Sequence, residues 1–359
     1  MRLKTLKDTE VGKKTVFLRL DLDVPVSDHG NILDDTRLQG AVPTIEYLIR
    51  RGANIVMAGH LGRPEGFDKS LSLENVGFFL RGKFGIPSSG FSRTKLKGLD
   101  AFKIGERIIL LENLRFNKGE EINDPEFAKK LADTSDIYVN EAFAASHRIH
   151  ASIVGIPKLL PHFAGFRFEK EVEELSKALE KPDRPLVVII GGAKIETKLP
   201  LVEKMHQFAD FVLVGGEIAE HDEELLKLTH EKIKPSSKLI VAKVNEKKDD
   251  ILQSSIEEFS KAIQEAKTIV WNGPMGVTSK VTNQDLPSEQ GTKELAKIIS
   301  RSSAYTIVGG GDTIAFLKKE RMMENFSFVS TGGGAMLSFL AHGTLPGIEA
   351  LSQSFFKSS

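Results

Sequence analysis

Residues 186–198 read LVVIIGGAKIETK: five apolar residues, a glycine pair, then lysines at 194 and 198. A near-continuous β-branched run suits a strand covered on both faces, the kind found in parallel sheets. The glycine pair ends the strand and a helical pattern follows. The common phosphate-loop pattern G-x-x-x-x-G-K-[ST] is absent. If the helix begins near Ala193, Lys194 and Lys198 share one face beside its N-terminus. Two ammonium groups there oppose the helix dipole and each other. A bound polyphosphate would offset that cost, so the local conflict marks a working site.

The same unit recurs along the chain. In the first half the apolar runs are TVFLRLDLDVP (15–25), NIVMAGHLGRP (54–64), RIILLENLRF (107–116) and DIYVNEAF (136–143). In the second half, LVVIIGGAK (186–194) is followed by DFVLVGGEIA (210–219), TIVWNGPMG (268–276), YTIVGGGDT (305–313) and FSFVSTGGGA (326–335). Apolar strands alternating with helices predict an α/β protein of two doubly wound, parallel-sheet (Rossmann-like) domains. Between the halves lies FRFEKEVEELSKALEKPDRP (166–185), where Leu175, Ala178 and Leu179 have helical spacing before Pro182 and Pro185. The reading is a hinge helix from about Glu169 to Glu180. It places one domain at 1–168, an interdomain segment at 169–181 and a second domain at 182–341.

A length of 359 residues suits two domains. Lys+Arg and Asp+Glu both number 49, so the net charge is zero. That argues against a nucleic-acid coat or a polybasic membrane binder. There is no cysteine, hence no disulfide framework and no thiolate chemistry. The start, MRLKTLKDTEVGKK, is charged and has no signal-peptide core. No apolar stretch is long enough to span a membrane. The expectation is a cytoplasmic protein without nucleic-acid or membrane partners.

Ligands of such folds bind at the carboxyl ends of the strands. In the first half these ends collect Asp21, Asp23, His60, Arg63, Arg115, His147, Arg148 and His150, with Arg37 after a turn. Arginine forks match phosphate and carboxylate oxygens, so a small ligand carrying both groups would use the set. The histidines raise a metal site as an alternative. Few carboxylates accompany them and the arginines would repel a cation, which favours an anion. In the second half the strand ends collect glycines, which let backbone N–H groups approach phosphate. No G-x-G-x-x-G with a following acidic residue is present, so a dinucleotide is a poor fit. Asp312 in GGGDT suits Mg²⁺ beside phosphates, or serves only as a helix cap.

RLDLDVP, HLGRPEG, LLENLRFNKGEE, NEAFAASHRIHAS, GGAKIETKL, WNGPMGV, GGGDT and STGGGA occur in the order found in phosphoglycerate kinases. The chain resembles that family from near its N-terminus to LPGIEALS. The resemblance implies a monomeric, two-lobed, hinge-bending cytoplasmic enzyme of glycolysis. It would transfer a phosphoryl group from 1,3-bisphosphoglycerate to ADP, giving 3-phosphoglycerate and ATP, with Mg²⁺. It implies that 342–359 packs back onto the first domain. By motif, Asp21, Asp23, Arg37, His60, Arg63, Arg115 and Arg148 would hold the phosphoglycerate. Lys194, with Arg37, would act on the moving phosphoryl group, and Gly333 and Gly334 of the STGGGA loop would face it. Lys198, Gly216, Asn272, Gly311, Asp312 and Thr313 would hold the nucleotide phosphates and, through Asp312, the metal.

The chain departs from the family pattern in several places. Asp23 stands where the family has Asn, and a carboxylate facing an anion repels it unless an arginine pairs with it. Glu141 replaces an Asp, and Gly59 and Ala144 also differ. Thr278 and Ser279 stand where an aromatic residue and a ribose-binding Glu are usual. The family's glycine-rich turn and the segment after it become GGEIAEHDEELLKLTH (215–230), and the stretch from Gly216 to Trp271 is short. These changes predict weaker or less base-selective nucleotide binding. They also support an alternative, a non-catalytic phosphoglycerate- or nucleotide-binding protein of the same fold. A different sugar-phosphate enzyme on a generic α/β fold would show only scattered matches.

Overall fold

The structure is a computed structural model that describes residues 3–27, 29–192, 195–221, 237–278 and 288–353. It divides into two compact units. One runs to Val172 and includes the stretch from Thr344; the other is Glu173–Gly343.

The first unit contains a seven-stranded sheet of order β3-β4-β5-β2-β1-β6-β7. Its strands are β1 (Thr15–Arg19), β2 (Asn54–Ala58), β3 (Ser92–Leu96), β4 (Leu99–Gly105), β5 (Ile108–Leu111), β6 (Ile137–Asn140) and β7 (His162–Ala164). The parallel part pairs Val16 with Ile55 on one side and with Ile137 on the other. Val16, Leu18, Ile55, Met57, Leu110 and Val139 lie in its core, as expected of strands covered on both faces.

One edge of this sheet corrects the all-parallel expectation. β3 and β4 run antiparallel to each other, and β4 runs antiparallel to β5. The cause is the turn Lys97–Gly98, where φ is 48° and 78°. Two consecutive positive φ values are what a two-residue hairpin turn of matching twist requires. Arg93 and Lys95 on β3 are exposed, and charges on an edge strand discourage further pairing.

The second unit contains a six-stranded, wholly parallel sheet of order β10-β9-β8-β11-β12-β13. Here β8 is Leu186–Ile190, β9 Phe211–Val214, β10 Lys238–Val241, β11 Thr268–Asn272, β12 Tyr305–Gly309 and β13 Phe328–Ser330. The LVVII run is therefore a central strand, and every residue of it is buried. The chain winds outward from β8 to β10, then returns to β11 and winds the other way. The loops after β8 and β11 thus flank a topological switch point, where ligands bind in open α/β sheets.

The linking helix is Phe166–Glu180, three residues longer at its start than the sequence reading. The division between the units falls inside it. Glu141, at the end of β6, fixes that start. Its Oε1 accepts from Arg167 N at 3.0 Å and from the Thr44 hydroxyl at 2.6 Å. Its Oε2 accepts from Phe168 N at 3.3 Å. Burial pushes the Glu141 carboxyl up to about 8. Gly165 has to be glycine here, since a Cβ would lie 1.9 Å from Glu141 Oε2. Farther along the helix, Glu174 accepts from the Tyr305 hydroxyl. The returning C-terminal stretch meets the first unit through Gly347 N to Ser146 O at 2.9 Å and His162 Nε2 to Gln353 O at 2.9 Å. Residues 354–359, the end of the segment read as packing back, lie outside the described residues.

Candidate active site

Two sets of groups stand at the carboxyl ends of the two sheets. In the first unit, Asp21 and Asp23 follow β1, His60 and Arg63 follow β2, and Arg115 follows β5. The stretch after β6 supplies His147, Arg148 and His150. Arg63, Arg115 and Arg148 line one cavity of about 420 Å³ together with Lys118, Glu65 and Glu121. Arg115 is almost wholly buried, and its guanidinium donates to Gly62 O and lies 3.1 Å from Glu121 Oε1 through Nε. Its Nη2 is buried without a hydrogen-bond partner. A buried donor left open costs about 1–3 kcal/mol, and an anion in this cavity would relieve it.

Asp23, the departure from the family pattern, is held by three groups. Its Oδ1 accepts from Gly62 N at 2.9 Å. Its Oδ2 lies 3.9 Å from both Arg37 Nη1 and His60 Nε2. Arg37 also donates to the Asp23 carbonyl. The carboxylate is thus paired with an arginine, the condition under which an anion is not simply repelled. Asp21 is buried and accepts from Ala144 N at 2.8 Å. Burial pushes its carboxyl up, against the opposing pull of Arg37 and Arg19.

Arg19 was not among the residues read from the sequence. It is fully buried in β1 and donates through Nε to Ser152 Oγ at 2.8 Å. Ser152 Oγ in turn donates to the buried Glu120 at 2.5 Å. Nη2 of Arg19 lies 3.0 Å from His60 Nδ1. A guanidinium only donates, so His60 accepts at Nδ1 and carries its proton at Nε2. Burial, then Arg19 and Arg115, hold this ring well below its usual pKa, so it is neutral. His150 is pushed down to about 3 by burial and the arginines around it. The histidines therefore serve as neutral partners of a cation cluster. Among the described residues no group of three or more His, Asp or Glu could hold a metal ion. A charged residue inside the run TVFLRL was the signal for Arg19, because an unpaired charge in a central strand is expensive. Lys118 and Glu121 carried no comparable signal.

In the second unit, the loops after β8, β9 and β11 interleave through their backbones. Gly192 N donates to Pro274 O at 2.9 Å and Gly216 N to Met275 O at 3.2 Å. A Cβ on Gly216 would lie 2.5 Å from Gly192 N, and its φ is 70°. Gly216 is thus required by packing. Gly311 and Gly334 are different. A Cβ on either would meet nothing within 4 Å, and neither has positive φ. Each opens a helix, Gly311–Lys319 and Gly334–His342. Nothing among the described residues requires glycine there, and the space beside each is open. Gly333, just before, has φ 49° and is likewise open.

Lys198 donates to Asn272 Oδ1 at 2.9 Å, and Asn272 ends β11. Burial pulls the Lys198 ammonium down to about 8, partly opposed by Asp312. The Thr313 hydroxyl is buried and accepts from Gly273 N at 3.1 Å, tying the β12 loop to the β11 loop. Asp312 is exposed in the first turn of its helix; the capping position belongs to Gly310, so Asp312 is not the cap. Asp312 shares a cavity of about 370 Å³ with Gly192, Gly216, Glu217, Lys248 and Thr278. Lys248 pairs with Glu220 at 2.9 Å along that cavity. Lys194 and Ser279 lie outside the described residues.

The family model described as phosphoglycerate kinase matches residues 6–237 and 221–343. Its two matches meet within the stretch read as short, between Gly216 and Trp271. A phosphoglycerate kinase of Pseudothermotoga lettingae is 36% identical over 400 aligned positions, covering 98% of this chain and 99% of the relative. That alignment is longer than the 359 residues here, so the relative carries segments that this chain lacks. Phosphoglycerate kinase 3, cytosolic, of Arabidopsis thaliana is 37% identical and covers 98% of both chains. The solved phosphoglycerate kinase of Coxiella burnetii matches with a TM-score of 0.79 at 33% identity, covering 98% of this chain and 99% of that one. That of Pyrococcus horikoshii matches with a TM-score of 0.81 at 30% identity, covering 97% and 98%. Cations at the strand ends of one sheet, open glycines at those of the other and these full-length matches agree: the chain belongs to the phosphoglycerate kinase family.

Proposed function

We propose that the two sets of groups divide the phosphoglycerate kinase reaction between them. The activity is that of the family: transfer of a phosphoryl group between 1,3-bisphosphoglycerate and ADP, with a carboxyl group as the acceptor in the reverse direction, in glycolysis. The relatives favour this enzyme over a non-catalytic binding protein of the same fold.

In this reading Arg63, Arg115 and Arg148 take one anionic end of the phosphoglycerate, while Arg37, His60, Asp21 and Asp23 take the rest. The observation that carries it is the buried, unpartnered Nη2 of Arg115 in a cavity with two further arginines. Lys198, Asn272, Gly216 and Thr313 hold the loops that receive the nucleotide phosphates. Gly311, Gly333 and Gly334 leave room for phosphate oxygens near backbone N–H groups. Phosphoryl transfer asks mainly for positioning and charge stabilisation, which this equipment supplies. Lys194 and Arg37 are assigned to the charge on the moving group. The exposed Asp312 carboxylate suits Mg²⁺, which takes one or two carboxylates and shares phosphate oxygens; bound there, the ion would neutralise phosphate charge. Bringing the two ligands into line by hinge closure, a monomeric state and a cytoplasmic location belong to the same proposal.

The test is a coupled assay of ATP formation on the full chain and on Lys194→Ala. Turnover is expected to fall by orders of magnitude while phosphoglycerate still binds; near-normal turnover would remove Lys194 from its role. Ser279, Thr278 before it and the short 216–271 segment predict poor discrimination between ADP and GDP. A strong ADP preference in kcat/KM would contradict that.

A further inference from the structure

A second cavity of the first unit, about 410 Å³, lies apart from the cation cluster. Its walls include the hairpin β3–β4, the end of β5, Phe116, Phe67 and Lys130. The volume is in the range of small-molecule sites. Phe67 is 71% exposed and meets Phe116 edge to face at 5.1 Å. One aromatic contact leaves most of its ring open to another ring. Leu114 and Phe116 line this cavity, whereas Arg115 between them lines the phosphate cavity. The two cavities therefore share a wall without sharing these side chains.

The charges decide what kind of ring fits. Arg93 is paired with Glu74 at 2.6 Å, and Asp100 with Lys95 at 3.2 Å. Glu112 accepts from the Ser72 hydroxyl and from Leu73 N and Asn113 N. Lys130 reaches only the Gly98 carbonyl, at 3.4 Å, and no carboxylate among the described residues. The lining thus carries an ammonium that no carboxylate among the described residues engages, beside an exposed aromatic pair, while the Glu112 carboxylate is held by three hydrogen bonds of its own. We propose that this cavity is a binding site for a planar aromatic or heteroaromatic molecule bearing a single anionic group, with the ring on Phe67 and Phe116 and the anion on Lys130. Stacking and ion pairing then act on different parts of one ligand.

The probe is 8-anilinonaphthalene-1-sulfonate, titrated by fluorescence against the full chain with ADP and 3-phosphoglycerate both saturating, so that the other cavities are filled. One saturable site is expected. Phe67→Ala and Lys130→Gln should each weaken the probe at least fivefold, with unchanged circular dichroism and unchanged turnover. Absence of a saturable site under these conditions, or affinities within twofold of the parent in both variants, would overturn the proposal.

Discussion

The first unit brings charged side chains to its strand ends; the second brings mostly backbone. In the first, guanidinium groups crowd together and need neutral histidines and a buried carboxylate behind them to coexist. In the second, glycines bring main-chain loops together, with Lys198 and Asp312 beside them. The difference teaches where each half is fragile. A site of charged side chains depends on the groups that compensate it from within. A site of backbone depends on the absence of Cβ atoms.

The widest break in this comparison is Arg19→Ala. It leaves Glu120 buried without its cation and frees Ser152 Oγ and His60 Nδ1. Removing one partner of a buried charged network costs about 3–5 kcal/mol. Urea unfolding should show that loss, with a weaker phosphoglycerate KM in whatever folds. A loss under about 1 kcal/mol would mean that Glu120 is protonated and indifferent to Arg19.

Next come two glycines that look alike in sequence. Gly216→Ala forces a Cβ against Gly192 N at positive φ, so it should destabilise by about 1–3 kcal/mol. Gly311→Ala meets nothing and should leave the melting temperature unchanged while raising KM for ADP several-fold. Equal melting temperatures for the two variants would erase the distinction between packing and approach.

The third test is pH. Burial holds Lys198 near 8 in the free enzyme, so it is charged below that value and neutral above it. A phosphate prefers the ammonium. KM for ADP should therefore be flat below about pH 7 and climb as pH passes 8, and Lys198→Met should flatten the climb. A profile of the parent that stays level to pH 9.5 would show that Lys198 does not face the phosphates.

The smallest effect expected is at Asp23. Asp23→Asn removes a negative charge from the cation cluster but can keep the acceptor for Gly62 N. KM for 3-phosphoglycerate should fall by about three- to tenfold at low salt, and less at high salt. A rise in KM would show instead that the carboxylate is needed to hold Arg37 and His60.

Much of this was legible in the sequence because the signals were strong. LVVII is apolar throughout and TIVWN at its three central positions, as expected of central parallel strands buried along their length. The arginines and glycines stand at the strand ends, where topology places a ligand. The hairpin β3–β4 escaped because Lys97–Gly98 does not advertise a tight turn as Asn-Gly does. β7 escaped because His162–Ala164 is only three residues long. Arg19 hid inside an apolar run, and its partners Ser152 and Glu120 lie far along the chain. The spacing of GGAKIETK pointed to phosphate, yet the sequence could not separate Gly216, fixed by a neighbouring loop, from Gly311, fixed by nothing among the described residues.

The hairpin closed by the bridge between Val244 and Ile251 carries Lys247, Lys248 and Asp249 into the cavity beside Asp312. It belongs neither to the sheet nor to the glycine loops. Under the proposed function, this hairpin would let nucleoside preference change separately from the phosphate end. Each doubling of loop length costs only about 0.6 kcal/mol in closure entropy. Exchanging the exposed residues 246–248 for longer segments, with the buried Asp250 kept because it accepts from Gly291 N at 2.9 Å, would test whether nucleotide choice can be re-tuned while the phosphate end is left as it stands.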